Sequence, residues 1–265
     1  MKKILSVLLA ALMIVGCVAS FASCKKEETL VCGVTIFENM NEKDANGNWT
    51  GFESEFAIEV GKLIGMEVKF QEINWEQKYN ELNSGAIDCI WNGFTANSSD
   101  NGIKRNELVD FSYGYMLNQQ CIVVKKADLA KYTSEESLKG KKAAAEGGSA
   151  GASYATEIVG ESNLTKTPVQ MDAFNEVKSG AVDFIVVDII LAQNICGQGN
   201  YADLAIVEAI ELDSEIYAIG FQKGSALTAK VNAAIKTLEQ NGKLKELAQK
   251  YKFENVLKVI ENIEF

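Results

Sequence analysis

Arg105 is the only arginine among the 26 lysine and arginine residues of the chain. It lies in WNGFTANSSDNGIKRNELVDFS, residues 91–112, just past a Gly/Asn/Ser-rich segment. A guanidinium is planar, always charged and able to grip a carboxylate through two parallel N–H donors, which a lysine point charge does not replace. Lysine serves as the ordinary surface cation of this chain, so the one fork reads as a grip for a planar anion. A surface pairing with Glu107 or Asp110 is the plainer alternative. A second anion site is suggested by AEGGSAGAS, residues 145–153, where a small-residue turn around Gly148 opens a helix. Free N–H groups and the positive end of the helix dipole converge at such a turn.

Asp188 closes the apolar run FIVV, where a buried carboxylate is costly unless it is paired. It reads either as the N-cap of the following IILAQNI helix or as an acceptor for a ligand ammonium. At the end of another apolar run, Gly93 lets the backbone approach a ligand closely, and Asn92 and Thr95 offer hydrogen-bonding side chains. Phe37 and Trp75 stand at or just beyond strand ends, where an aromatic either packs into the core or walls a ligand's side chain. Two grips for a carboxylate and one acceptor for an ammonium together describe the charged groups of an α-amino acid.

Composition removes most other chemistry. The chain has no histidine, which excludes Ser-His-Asp and Cys-His nucleophiles and the commonest zinc and haem sites. An enzyme on this chain would have to use carboxylates, lysine or tyrosine, and no metal or cofactor is expected. The formal net charge of −10, with no basic block, argues against nucleic acid or an anionic lipid surface as a partner.

The elements that must position these residues follow from periodicity. LVCGVTIF (30–37) reads as a strand, ANGNWTGF (45–52) as a turn, and ESEFAIEVGKLIG (53–65) as a helix ending near Gly65. MEVKFQEI (66–73) is a strand, EQKYNELNSG (76–85) a helix and AIDCIWNGF (86–94) a strand, an alternation that implies a parallel α/β sheet. NELNSGAIDCI at 80–90 returns as NEVKSGAVDFI at 175–185, a helix end, a Ser-Gly stop and a buried strand, which implies two lobes of like topology. Ligands in open parallel sheets bind beyond the carboxyl ends of the strands, so the ends at Trp91–Thr95 and Val187–Asp188 would face each other across a cleft. The tail at 228–253 reads as two helices broken at Asn241-Gly242.

Residues 1–23 read as an export signal, a basic start followed by the apolar run ILSVLLAALMIVG, shorter than a spanning helix needs. Cys24, followed by the polar KKEET, is the expected lipidated N-terminus, with Cys17 as the alternative. Residues 24–29 read as a tether, and removal of residues 1–23 takes the formal charge to −12. Cys32, Cys89, Cys121 and Cys196 contain no CxxC pair, and Cys32, Cys89 and Cys121 sit in apolar runs and read as small buried residues, with a disulfide among the four as the alternative.

GNWTGFESEFA (47–57), SGAIDCIWNGFT (84–95), KRNELVDFSYGYM (104–116), LKGKKAAAEGGSAG (138–151), VKSGAVDFIVVD (177–188) and EIYAIGFQKGS (215–225) resemble, in order, the motifs of the polar amino acid solute-binding proteins of ABC importers, extracytoplasmic solute-binding protein family 3. The likeness runs from about residue 30 to 258. It implies a type II periplasmic-binding-protein-like fold of two α/β lobes, residues 30–117 with 217–265 and residues 118–216, hinged near Asn118-Gln119 and Glu215–Tyr217. It also implies a monomeric, lipid-anchored receptor that closes around a free amino acid and delivers it to the permease. Residue by residue, Phe37 would stack on the ligand and Trp75 line the pocket. The Gly93 carbonyl, Thr95 and Asp188 would hold the α-ammonium, and Arg105 with the backbone at Ser149 and Ala150 the α-carboxylate. The segment between Thr95 and Arg105 is about five residues longer than that family's. Two rivals remain at this level: a dehydratase of cyclic acids on the same fold, and a sensory lipoprotein that works without a transporter. Glu38 and Asn92 would suit a polar or cationic ligand side chain.

Overall fold

The computed structural model describes residues 28–265. The expected signal, Cys17, Cys24 and most of the tether lie outside the described residues. The first lobe begins with β1 (Glu28–Val34), which starts two residues before the expected strand and stops short of Phe37. A β2–β3 hairpin (Glu42–Lys43, Trp49–Thr50) leads into helix α1 (Phe52–Ile64). Phe52, Phe56, Ala57 and Val60 fall on one face of α1 and are buried, and Gly65 ends it in a left-handed cap. Then come β4 (Met66–Glu72), helix α2 (Lys78–Ser84) and β5 (Cys89–Ile90).

The longer segment before Arg105 folds as a hairpin, β6 (Ser99–Asp100) with β7 (Ile103–Lys104), and Arg105 opens the one-turn helix α3 (Arg105–Leu108). After β8 (Asp110–Phe111), the long strand β9 (Gly114–Lys125) carries the chain into the second lobe. That lobe holds β10 (Ala143–Glu146), α4 (Ala150–Val159), β11 (Leu164–Thr167), α5 (Gln170–Ser179), β12 (Phe184–Asp188), α6 (Ile189–Ile195) and β13 (Leu204–Ile206). The return passes through β14 (Ser214–Tyr217) and β15 (Gly220–Phe221) to α7 (Ala226–Gln240), α8 (Lys243–Tyr251) and β16 (Leu257–Ile260). The break between α7 and α8 falls at Asn241-Gly242, as the sequence implies.

Beside the two hairpins, the described residues form two large sheets, ordered β4-β1-β5-β15-β8 and β11-β10-β12-β9-β13, the second extended by β14 and β16 on β9. Each is mixed. β1, β4 and β5 run parallel, as do β10, β11 and β12, but β15 and β9 are antiparallel to their neighbours. β9 reaches the second sheet straight from the first lobe without a helical crossover, so nothing imposes the parallel sense. α1 packs on β4 and against α7 and α8, whereas α4, α5 and α6 cover the second sheet. β14 pairs with the middle of β9, Glu215 opposite Asn118 and Ser214 opposite Gln119, so the two crossover segments lie side by side.

The internal echo has a structural reason. Gly85 and Gly180 both take left-handed φ values, 77° and 82°, and cap α2 and α5. Three residues later Asp88 and Asp183 each accept a backbone N–H from the neighbouring strand, Val31 in the middle of β1 at 2.7 Å and Lys142 just before β10 at 2.8 Å. The repeated Ala-Ile/Val-Asp therefore clamps a helix exit onto a parallel strand twice over. β5 is shorter than the expected 86–94 strand, and beyond it the chain coils into the cleft.

Candidate functional site

The lobes meet over a void of about 10 Å³ lined by Trp75, Asn92, Gly93, Thr95, Arg105, Gln120, Glu146, Ser149, Ala150, Gln170 and Asp188. All the residues predicted from sequence line it except Phe37 and Gly148. The gap has room for about one water molecule at most, so entry of any amino acid requires the lobes to part.

On the first lobe, the Gly93 N–H donates to both Glu53 carboxylate oxygens, at 2.8 and 3.1 Å, and the Tyr115 hydroxyl donates to Glu53 as well. A Cβ at Gly93 would stand 3.0 Å from the Phe37 ring and 3.1 Å from Tyr217, so only glycine fits between them. Phe37 thus backs the gap without lining it. Asn92 does not offer a free amide to the gap. Its Oδ1 accepts from the Thr35 N–H at 3.0 Å and hydroxyl at 2.5 Å, and its Nδ2 donates to the Thr35 carbonyl and Asn41 Oδ1. Asn92 is a clamp between two loops. The Thr95 hydroxyl donates to Glu215 at 3.2 Å, and its carbonyl accepts Arg105 Nη1 at 3.1 Å.

Arg105 is 1% exposed, and its partner is neither Glu107 nor Asp110. Asp100, from the hairpin, takes Nε at 3.2 Å and Nη2 at 2.8 Å on one oxygen, and Nη2 also donates to the Gly148 carbonyl of the other lobe at 3.3 Å. The Phe94 ring lies 5.0 Å from the guanidinium carbon. The hairpin therefore carries its own carboxylate to orient the fork. Lys78 joins this cluster, 1% exposed, with Nζ 2.8 Å from the Gly148 carbonyl and 3.6 Å from Asp100. Among 25 lysines its residue type gave no signal, and it is as buried as the arginine. Burial alone would push Asp100 up, but the Arg105 and Lys78 charges outweigh it and hold the carboxyl below its usual range. Lys78 is pushed down to about 8, first by burial and then by Arg105.

On the second lobe, Ser149 caps α4, its Oγ accepting the Ala152 N–H at 3.0 Å, while its own N–H turns to the Glu146 carbonyl at 3.1 Å. Ala150, the first helical residue, has no intrahelical acceptor for its N–H. A Cβ at Gly148, where φ is +73°, would come within 3.0 Å of the Glu76 Cα across the lobe boundary. Asp188 makes no side-chain capping bond to α6. Its Oδ1 accepts from Asn118 and Gln120, both at 2.6 Å, and its Oδ2 from Gln170. Glu215 shares the same two amides, at 2.7 and 3.0 Å, so the carboxylates of β12 and β14 meet over the same two side chains of β9. Burial raises both, Glu215 to about 7 with Asp188 adding to the shift. Burial also raises Glu146 to about 8, with Asp188 next, and Glu53 to about 7.

Sequence reading missed Glu53, Lys78, Asp100, Asn118, Gln120, Glu146, Gln170 and Glu215. One signal was present: Asn118 and Gln120 alternate along a strand, so they share a face.

The raised carboxylates set a pH dependence. A carboxyl whose pKa rises on folding contributes stability in full below its unfolded value, 4.5 for Glu53, Glu146 and Glu215, and loses it as pH climbs through 7 to 8. Lys78 acts in the opposite sense, but between 8 and 10.5, and so does not offset this loss at lower pH. The Tm by scanning calorimetry is expected to fall from pH 5 to pH 8, with a shallower slope in Glu53→Gln. A rising Tm over that range would mean the carboxyls are ionised or solvated.

The chain is 28% identical over 258 residues to the arginine-binding extracellular protein ArtP of Bacillus subtilis strain 168, covering 95% of this chain and 98% of that protein. It is 25% identical over 258 residues to the L-cystine-binding protein TcyJ of Escherichia coli K12, covering 94% of each. A solved structure, an ancestral arginine-binding protein bound to arginine, superposes with a TM-score of 0.76 at 30% identity, covering 85% of this chain and 98% of that one. With the family profile matching residues 30–255, the chain belongs to the bacterial extracellular solute-binding proteins, family 3.

Proposed function

We propose that this protein captures a free amino acid between its lobes outside the cytoplasm and delivers it to the permease of an ABC importer. It acts as a monomer held to the membrane by a lipid on Cys24, or on Cys17. One observation carries the reading: Arg105 and Asp188, from opposite lobes, line the same gap together with Gly93, Thr95 and the start of α4. An α-carboxylate fits against Arg105 and the Ala150 N–H, and an α-ammonium against Asp188, the Thr95 hydroxyl and the Gly93 carbonyl. The named ligands of ArtP and TcyJ share these α-groups and differ in side chain. The mobile units are residues 30–117 with 217–265 and residues 118–216, bending where β14 lies along β9.

The test is a thermal-shift screen of the twenty amino acids and cystine at pH 7. A ligand present at about 100 times its Kd stabilises by about 2.7 kcal/mol, which corresponds to a Tm rise of roughly 5–10 °C for a chain of this size. At least one amino acid is expected to give such a shift. A flat response across all of them overturns the reading.

A further inference from the structure

The closed gap holds more carboxylate than cation. Asp188, Glu215 and Glu146 stand in or beside it, against Arg105 and Lys78, and those two cations already face Asp100. Asp188 and Glu215 are each supplied with amide donors. Glu146 is different. It is the last residue of β10, lines the gap, and is 4% exposed, yet its Oε1 has no hydrogen-bond partner. Lys78 does not supply one, because its Nζ is directed to the Gly148 carbonyl and packed among the rings of Trp75 and Tyr79, 5.2 and 4.6 Å away.

Building on the amino-acid reading of this gap, we propose that Glu146 is a specificity-determining residue that selects an amino acid with a positively charged side chain, whose cation pairs with Oε1. A neutral side chain would leave the carboxyl either unpaired and ionised in a dry cavity, which is costly, or protonated. A guanidinium or ammonium provides the missing donor as a charge-assisted pair. Arginine, lysine and ornithine are the matching class. An acidic side chain would face Glu146 as a like charge.

This pairing has a proton signature. Burial, with the neighbouring Asp188 charge, keeps Glu146 protonated to about pH 8. A cation arriving at Oε1 favours the ionised form, so the proton leaves for solvent as the ion pair forms. A neutral ligand releases none from this group.

Isothermal titration at pH 7, in two buffers of different ionisation enthalpy, tests the proposal with arginine, lysine, ornithine, glutamine and glutamate. The cationic amino acids are expected to bind about tenfold or more tighter than glutamine, with a fraction of a proton up to about one released per site beyond the release with glutamine. Glu146→Gln should bring the cationic amino acids down to the affinity of glutamine and remove their excess of proton release over glutamine, the release from Asp188 and Glu215 being common to every α-ammonium. Glu146→Asp should keep the preference. The release measured on the unaltered protein does not depend on either variant folding. Preference for glutamine or glutamate, binding of arginine with no more proton release than glutamine, or a preference that survives Glu146→Gln overturns this inference and leaves the amino-acid site standing. Binding of none of the five, when the wider screen also gives none, overturns both.

Discussion

Replacing Arg105 by lysine should weaken amino-acid binding by about tenfold or more, because a charge-assisted hydrogen bond is worth about 1.5–3 kcal/mol. Lysine keeps the positive charge beside Asp100 but supplies no planar fork. In the native cluster one guanidinium serves Asp100, the Thr95 carbonyl and the Gly148 carbonyl together. An ammonium on a flexible stem cannot hold those three acceptors and also face a ligand carboxylate. The loss should appear as faster dissociation, since the charge that attracts the ligand is retained. The ligand-free Tm should fall as well, because buried acceptors lose their donors. Titration calorimetry and melting of the free protein check the two parts separately. A lower Tm with unchanged affinity would reduce Arg105 to an internal strut between the lobes.

Asp188→Asn should cost binding about ten- to hundredfold, the equivalent of the 1.5–3 kcal/mol of one charged hydrogen bond, without lowering the ligand-free Tm at pH 7. The second half of this expectation comes from the structure. Asp188 makes no capping bond to α6, so its helix loses nothing when the charge is removed. Asp188 and Glu215 crowd the same Asn118 and Gln120 amides, and removing one of two like charges relieves that crowding. Asparagine still presents an oxygen to the two amides, although its new N–H₂ faces the Gln170 donor. Titration calorimetry and melting again separate the outcomes. A variant that melts early and binds normally once folded would assign Asp188 to structure alone.

How much of this was legible before folding depends on what each residue's signal was. The echo at 80–90 and 175–185 was readable because two copies of a helix stop and a strand clamp repeat residue types at fixed spacing, and both glycines do the same work. Arg105 was readable because it is unique, and Asp188 because a carboxylate ending an apolar strand needs a reason. The two antiparallel strands were not, since period-2 burial says nothing about direction. Lys78 was hidden by its own abundance. Asp100 was hidden because an Asn/Ser/Asp/Gly-rich segment reads as a solvated loop, whereas this one forms a hairpin whose carboxylate reaches Arg105 and the Tyr79 hydroxyl, 2.5 Å away. Asn92 was picked for its position at a strand end, but position alone could not show that Thr35 and Asn41 occupy its amide. Pairwise partners of this kind depend on residues far apart in the chain.

The direct test of the central claim uses the amino acid that binds tightest and two truncations of it: the amine lacking the α-carboxylate, and the acid lacking the α-ammonium. If Arg105 and Asp188 grip those two groups, each truncated ligand should bind at least about tenfold more weakly than the parent. Arg105→Lys should then add little further loss for the amine, and Asp188→Asn little further loss for the acid. An amine or an acid that binds as tightly as the intact amino acid would contradict the account.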